Sequence, residues 1–182
     1  EATTNAEGNK VTSLSLQQIG STTINVSFPS TGNGWLALTS GSYGGQSTPQ
    51  LVLAYTNGNQ TNVQPITVTP TSNPPQGTLT LAPLFTLAQD STVGLFAQSG
   101  YLDFFDNTEQ VVLEVQSSSF KTFAVLPLDA ELNVTLTSSL TIPAQQVSRG
   151  FALGNFDQQI TGGDSLRLEI VELSPTECGS DY

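Results

Sequence analysis

The sequence carries very little charge. Lys and Arg together number 4, and charged residues make up 10% of the chain, against about 25% in an ordinary soluble domain. The formal net charge is -11, which argues against nucleic acid as a partner because phosphates need clustered Lys and Arg. His is absent, so Ser-His-Asp and Cys-His nucleophiles are excluded and zinc lacks its usual ligands. These absences predict a protein that is not an enzyme.

Cysteine and methionine are also scarce or absent. Cys178 is the only cysteine, so no disulfide can form within one chain, and its thiol is either free in a polar tail or pairs between subunits. No Met occurs, and the chain starts at Glu1. Removal of a secretory leader accounts for this, with proteolytic trimming of a recombinant chain as the alternative. No apolar run is long enough to span a membrane, and we expect an extracellular or cell-surface protein.

What the sequence does contain is a period-two alternation of apolar and polar residues. Ile24, Val26 and Phe28, for example, alternate with Thr, Asn and Ser. This pattern is typical of β-strands, and good helix formers such as Glu and Lys are rare. One short helical candidate at 81–90 is limited to a turn or two by Pro83. Further strands are predicted at 35–39, 50–55, 63–69, 77–82, 93–98, 110–116, 120–126, 131–137, 150–154 and 165–173.

Turn signals separate these candidate strands. Asn57-Gly58 is the sharpest hairpin signal, because Asn-Gly tolerates the positive φ that a tight turn needs. About a dozen short strands with such spacing predict an all-β fold, an antiparallel β-sandwich of jelly-roll type. We expect an N-terminal arm at 1–19, a β-sandwich domain at 20–173 and a polar C-terminal tail at 174–182.

Three Asn-X-Ser/Thr sequons mark candidate sites of N-linked glycans. They begin at Asn25, Asn59 and Asn133, and the motif requires an exposed acceptor. Asn25 and Asn133 fall on the polar faces of predicted strands, and Asn59 follows the Asn-Gly turn. Glycans at these positions would supply hydration that the missing charges do not.

The sequence contains one acidic cluster, which comprises Asp103, Asp106 and Glu109, with Asn107 between them. Oxygen ligands at short spacing suit Ca²⁺, but the spacing does not match the helical calcium loop, and a solvated hairpin tip is the alternative. Glycoside hydrolysis needs a carboxylate pair, for which Asp103 with Glu114 or Asp157 are the candidates. Nothing in their spacing favours that chemistry over scattered surface acids.

Two further groups of residues have both a functional and a structural interpretation. Lys121, with Asn107 and Glu114, has the composition of an autocatalytic isopeptide crosslink, although a lysine on a strand face is usually solvated. Three aromatic residues could form a platform for sugars, with packing in the core or on a sheet as the alternative for Trp35. These are Trp35, Tyr43 and Tyr55.

The N-terminal arm leads into a strand-like segment with neither charge nor proline. This segment spans 11–19, and its apolar residues are Val11, Leu14, Leu16 and Ile19. A free segment of this kind can add to the open edge of another subunit's sheet, with its apolar side chains entering that subunit's core. Edge strands normally carry Lys, Pro or bulges that prevent such pairing. The alternative is an ordinary first strand of a monomeric sandwich.

The arm, the Ser/Thr/Asn/Gln-rich strands, the three sequons and the leaderless N-terminus together resemble subunits of archaeal surface filaments, the threads and related pili. The resemblance extends loosely over the full length and contains no diagnostic motif. It implies a pilin-like, jelly-roll-like β fold with an N-terminal donor strand, glycosylation, and a role in adhesion or biofilm. One departure is that residues 1–10 are more polar than an inserted strand requires.

The sequence therefore predicts a structural subunit that polymerises with itself, head to tail, by N-terminal strand donation. Such a heterologous contact need not close, so it generates an open fibre. No cofactor is expected apart from Ca²⁺ at the acidic cluster. The alternatives are a monomeric carbohydrate-binding or adhesion module of β-sandwich type, and a viral capsid or surface-layer jelly roll.

Overall fold

The computed structural model describes residues 2–4, 11–16, 24–27, 35–70, 77–88, 92–101, 108–144, 148–154 and 169–172. Within these residues the regular structure is β-strand, with one short 3-10 turn at Tyr43–Gly45 and no α-helix. The strands are β1 (Ala2–Thr4), β2 (Val11–Leu16), β3 (Ile24–Ser27), β4 (Leu36–Gly41), β5 (Gln50–Asn57), β6 (Gln60–Pro70), β7 (Gly77–Leu81), β8 (Phe85–Ala88), β9 (Thr92–Gly100), β10 (Gln110–Ser117), β11 (Phe120–Leu126), β12 (Ser138–Pro143), β13 (Phe151–Gly154) and β14 (Glu169–Glu172).

Two antiparallel sheets make up the body of the molecule. The front sheet has the order β4-β5-β6-β7, and β8 pairs with the other half of the long strand β6. The back sheet has the order β12-β11-β10-β9. Two smaller antiparallel sheets consist of β1-β2-β3 and β13-β14. The predicted all-β, antiparallel, sandwich-like fold is confirmed.

The predicted hairpin turn at Asn57-Gly58 is also present. Asn57 pairs with Gln60, which leaves Gly58 and Asn59 at the tip, and Gly58 has a φ of 61°. This positive φ is the conformation that glycine adopts without steric cost.

Two of the predicted elements differ from the structure. Residues 85–88 form the strand β8 instead of a helical turn, because Phe85 and Leu87 alternate with exposed residues and pack on the core. Residues 131–137 are not a regular strand. Asp129 caps a tight turn there, and Leu132 takes a left-handed φ of 63°.

The main core lies between the front and back sheets. Its residues alternate along the strands, as expected for inward-facing positions. Burial of each large aliphatic side chain stabilises the fold by about 1.5–3 kcal/mol relative to exposure. The core includes Val52, Ala54 and Val63 from the front sheet, and Val111, Leu113, Val115, Ala124 and Leu126 from the back sheet.

Both sheets also bury apolar residues on their outer faces. On the front sheet these are Leu53, Tyr55 and Ile66. On the back sheet Val112 and Phe123 pack against Phe151 of β13, and the two phenyl rings meet edge to face at 5.8 Å. The central strand β10 is consequently buried on both faces from Gln110 to Gln116, which a simple polar-out pattern does not predict.

One long edge of the sandwich is closed. The edge strands β4 and β9 lie side by side, and the hydroxyls of Thr39 and Ser99 share a hydrogen bond of 2.8 Å. The hydroxyl of Tyr43, which follows β4, also hydrogen-bonds to Ser99. These contacts join the front and back sheets along this edge.

The buried Tyr43 makes stability sensitive to alkaline pH. Burial raises the pKa of Tyr43 from 10.0 to about 12, although its hydrogen bond with Ser99 partly opposes this. Because the folded state favours the neutral phenol, its contribution to stability is complete below pH 10 and is lost as the pH rises to about 12. We expect Tyr43→Phe to show a smaller loss of unfolding free energy than wild type over this range in urea titrations. An equal loss in both proteins would contradict the assignment to Tyr43.

Candidate functional site: a groove at the open edge of the sandwich

Opposite the closed edge, a groove of about 360 Å³ lies between β8 of the front sheet and β12 of the back sheet. Its walls are these two strands, and its floor is the inner face of β10 and β11. None of the lining side chains is ionisable. They are Leu87, Ala88, Val115, Ser117, Phe120, Thr122, Ala124, Leu136, Ser139 and Thr141.

The floor of the groove is continuous with the main core. Val115 and Ala124 belong to the core cluster and are almost fully buried, and Leu87 packs against that cluster. Toward the mouth, Leu136 is 44% and Phe120 is 49% exposed. An apolar channel therefore leads from solvent to the core, and a ligand with apolar side chains could extend that core.

The two strands that flank the groove are edge strands. Within the described residues, β12 pairs only with β11, and β8 pairs only with β6. The sequence of β12 is Ser-Ser-Leu-Thr-Ile-Pro, which has no charge and has its proline only at the end. Charge and interior proline are the usual protection against pairing with an added strand. The backbone groups on this edge are therefore suited to accept another strand.

The predicted donor segment is described in part. Val11, Leu14 and Leu16 lie in β2, whereas Ile19 lies outside the described residues. Strand β2 pairs antiparallel with β1 and with β3 of the same chain, so that Leu14 is opposite Ala2 on one side and Val26 on the other. Residues 11–16 of the segment thus form a strand, and in the single chain the backbone of this strand pairs within the chain.

Two of the three sequon asparagines have exposed side chains. Asn59 is at the β5–β6 hairpin tip, and Asn133 is in the turn that follows Asp129. Asn133 donates its side-chain Nδ2–H to Asp129 at 2.9 Å and its backbone N–H to the same carboxylate at 2.8 Å. These hydrogen bonds lower the pKa of Asp129. Asn25 lies in β3, opposite Ser15.

Most of the acidic residues that were candidates for a Ca²⁺ site or a hydrolytic pair lie outside the described part of the chain. Asp103, Asp106, Asn107 and Asp157 lie outside it. Glu109 accepts a hydrogen bond from the backbone N–H of Ser42. No group of three metal-ligating acids, cysteines or histidines occurs among the described residues.

Glu114 is the second candidate for the hydrolytic pair, and it is fully buried. It accepts a hydrogen bond from the Ser148 hydroxyl at 3.0 Å. A buried carboxylate cannot reach a polysaccharide at the surface, so the structure does not support Glu114 in glycoside hydrolysis.

The proposed aromatic platform does not form. Trp35 is 41% exposed, but Tyr43 and Tyr55 are buried in different clusters on opposite faces of the front sheet. Tyr43 is part of the main core. Without a coplanar set of exposed rings, a sugar has no stacking surface at these three positions.

In the described part of the chain, no helix is long and apolar enough to cross a membrane. Comparison of the chain with protein-family models, curated proteins and solved structures finds no match.

The groove itself was not apparent from the sequence. One wall, β8, lies in the helical candidate, and the other, β12, lies outside the predicted strands. Leu136, which also lines the groove, is in the predicted strand at 131–137. One signal was available, namely the strand-like alternation of Phe85 and Leu87 after Pro83.

Cys178 lies outside the described residues.

Proposed function

We propose that this protein is the structural subunit of an extracellular filament, in which the segment 11–19 of one copy occupies the groove of the next. The observation that carries the proposal is the apolar groove between two unprotected edge strands, β8 and β12. A strand added there finds backbone partners at the edges and an apolar floor at Val115 and Ala124. This is the arrangement that strand addition requires.

The chemistry of the donor segment is complementary to the groove. The segment Val-Thr-Ser-Leu-Ser-Leu-Gln-Gln-Ile has no charge, and neither has the groove lining. Burial of three or four aliphatic side chains contributes roughly 5 to 10 kcal/mol before ordering costs. In the single chain β2 pairs with β1 and β3, so assembly exchanges pairing within the chain for pairing between subunits.

The direction of the contact explains why a fibre results. The donor segment and the groove are different surfaces of one subunit, so the contact is heterologous and each added copy presents a new groove. We further propose that the filaments resemble archaeal threads and pili, act in adhesion or biofilm, and carry N-glycans at Asn25, Asn59 and Asn133. The intact mass of native subunits reports the glycans directly.

Electron microscopy tests strand donation directly. Full-length protein is expected to form fibres, and the variant without residues 1–19 is expected to remain as single, less stable particles. A synthetic peptide of residues 11–19 should bind the truncated variant and shorten the fibres of the full-length protein, because it fills the groove without offering a new one. A peptide of the same composition in scrambled order is the control.

The opposite results are equally clear. Fibres formed by the truncated variant would refute strand donation. Single particles of the full-length protein under all conditions would favour the monomeric module, and closed shells or planar lattices would favour a capsid or surface-layer role.

A further inference from the structure

Four polar side chains are buried together on the outer face of the back sheet. They are Glu114 and Gln116 of β10, Lys121 of β11, and Ser148, which precedes β13, and none is more than 3% exposed. Glu114 and Lys121 are two of the few charged residues in the chain. Burial of charge is costly unless the surroundings compensate for it.

The strand register places the amine and the amide opposite each other. Gln116 pairs directly with Lys121, and residues opposite each other in an antiparallel pair have Cβ atoms about 4.5–5.5 Å apart. Glu114 is two residues from Gln116 and therefore projects from the same face. On the other side of Gln116, β9 has Gly94, where a Cβ would come within 3.2 Å of the Gln116 amide oxygen.

Ser148 orients both acceptor groups of the cluster. Its backbone N–H donates to the Gln116 side-chain oxygen at 2.9 Å, and its hydroxyl donates to a Glu114 carboxylate oxygen at 3.0 Å. The first hydrogen bond withdraws electrons from the Gln116 amide and stabilises negative charge that develops on its oxygen. The second holds the Glu114 carboxylate in place.

The surroundings are apolar and exclude water. Val112, Phe123 and Phe151 are buried in the same layer, with Phe96 and Ile142 packed against them. An amine attacks a carbonyl carbon once it has lost a proton to a base. The cluster thus combines a nucleophile, a polarised electrophile and a carboxylate that can carry protons.

We propose that Lys121 and Gln116 form an autocatalytic isopeptide bond, with Glu114 as the proton carrier. Glu114 takes a proton from the Lys121 ammonium, and Nζ attacks Cδ of Gln116. The tetrahedral intermediate collapses by breaking the Cδ–Nε2 bond, and the nitrogen leaves as ammonia with a second proton from Nζ. The ammonium, the carboxylate and the amide are thereby replaced by a secondary amide, a neutral Glu114 and one ammonia.

The crosslink removes both buried charges from the apolar layer. Because it closes only the short β10–β11 hairpin, the gain from loop closure is small. The benefit is instead the loss of an ammonium that is costly to bury. This reaction is independent of the proposed filament and needs no partner enzyme, so it proceeds in any host in which the chain folds.

Mass spectrometry of the full chain, produced in a host without N-glycosylation, tests the proposal. The intact mass is expected to be lower than the sequence mass by one ammonia. After denaturation, trypsin should cut after Lys10 but not after Lys121, since its amine is acylated. The peptide 11–149 should then appear in place of 11–121 and 122–149.

Two variants control for the chemistry. Gln116→Met removes the acyl group and Glu114→Gln removes the proton carrier, with little change in side-chain size. Both chains should have their full sequence mass and be cut after Lys121. A wild-type chain with its full sequence mass and complete cleavage after Lys121 would overturn the proposal. Loss of one water instead of one ammonia would also overturn it, because it would place the bond on Glu114.

Discussion

Leu136→Asp is expected to abolish filament formation and to leave the subunit folded. Leu136 is 44% exposed at the groove, so its substitution does not empty the core of the single subunit. Occupation of the groove by a donated strand would bury this position, and the variant then loses the apolar contact and must desolvate a carboxylate. A cost of roughly 3 kcal/mol weakens association by about a hundredfold. Electron microscopy and sedimentation velocity measure the loss of fibres.

Leu140→Asp is the matched control for this prediction. Leu140 is also an exposed leucine, at 58%, but it pairs with Phe123 on the outer face of the back sheet and does not line the groove. We expect fibres of normal length from this variant. If Leu136→Asp assembles as well as Leu140→Asp, the groove does not accept the donor strand.

Gly44→Ala is expected to destabilise the subunit by about 3 kcal/mol, or about 6 to 12 °C in melting temperature. Gly44 has a φ of 57°, which costs other residues about 1–2 kcal/mol. A Cβ there would also lie 2.1 Å from the backbone oxygen of Asp129. The turn after Asp129 would have to move, although it is fixed by hydrogen bonds from Glu131 and Asn133 to the Asp129 carboxylate.

Gly45→Ala separates the two contributions. Gly45 has a φ of 72°, but a Cβ there meets nothing within 4 Å. This variant bears the conformational cost alone and should lose only about 1 kcal/mol. Urea unfolding of both variants measures the difference, and equal losses would show that the contact with Asp129 does not matter.

The strands of the two main sheets were largely predictable from the sequence. Residues 50–55, 63–69, 110–116 and 120–126 alternate or are continuously apolar, and all of them lie in strands. The dipeptide Asn57-Gly58 also predicts the hairpin, because Asn and Gly tolerate the positive φ that a tight turn requires. These features depend on neighbours in the sequence.

The features that the sequence did not predict depend on distant contacts. A lysine on a strand face is expected to be solvated, yet Lys121 is buried with Glu114 and Gln116, and Phe151 packs on the same face of the sheet. The turn at Asp129 depends on side-chain hydrogen bonds that hold Leu132 in a left-handed conformation. The groove is defined by where β8 and β12 end up in space, and alternation within either strand contains no information about the other.

The lack of ionisable side chains in the groove has a consequence for the durability of the proposed polymer. Neither the segment 11–19 nor the groove lining contains a group that titrates or that mobile ions can screen. Ionic strength and acid weaken contacts between charged groups. Neither should therefore weaken the proposed contact between segment 11–19 and the groove. Filaments joined in this way would tolerate brine and acidic springs alike and come apart only when the subunits themselves unfold.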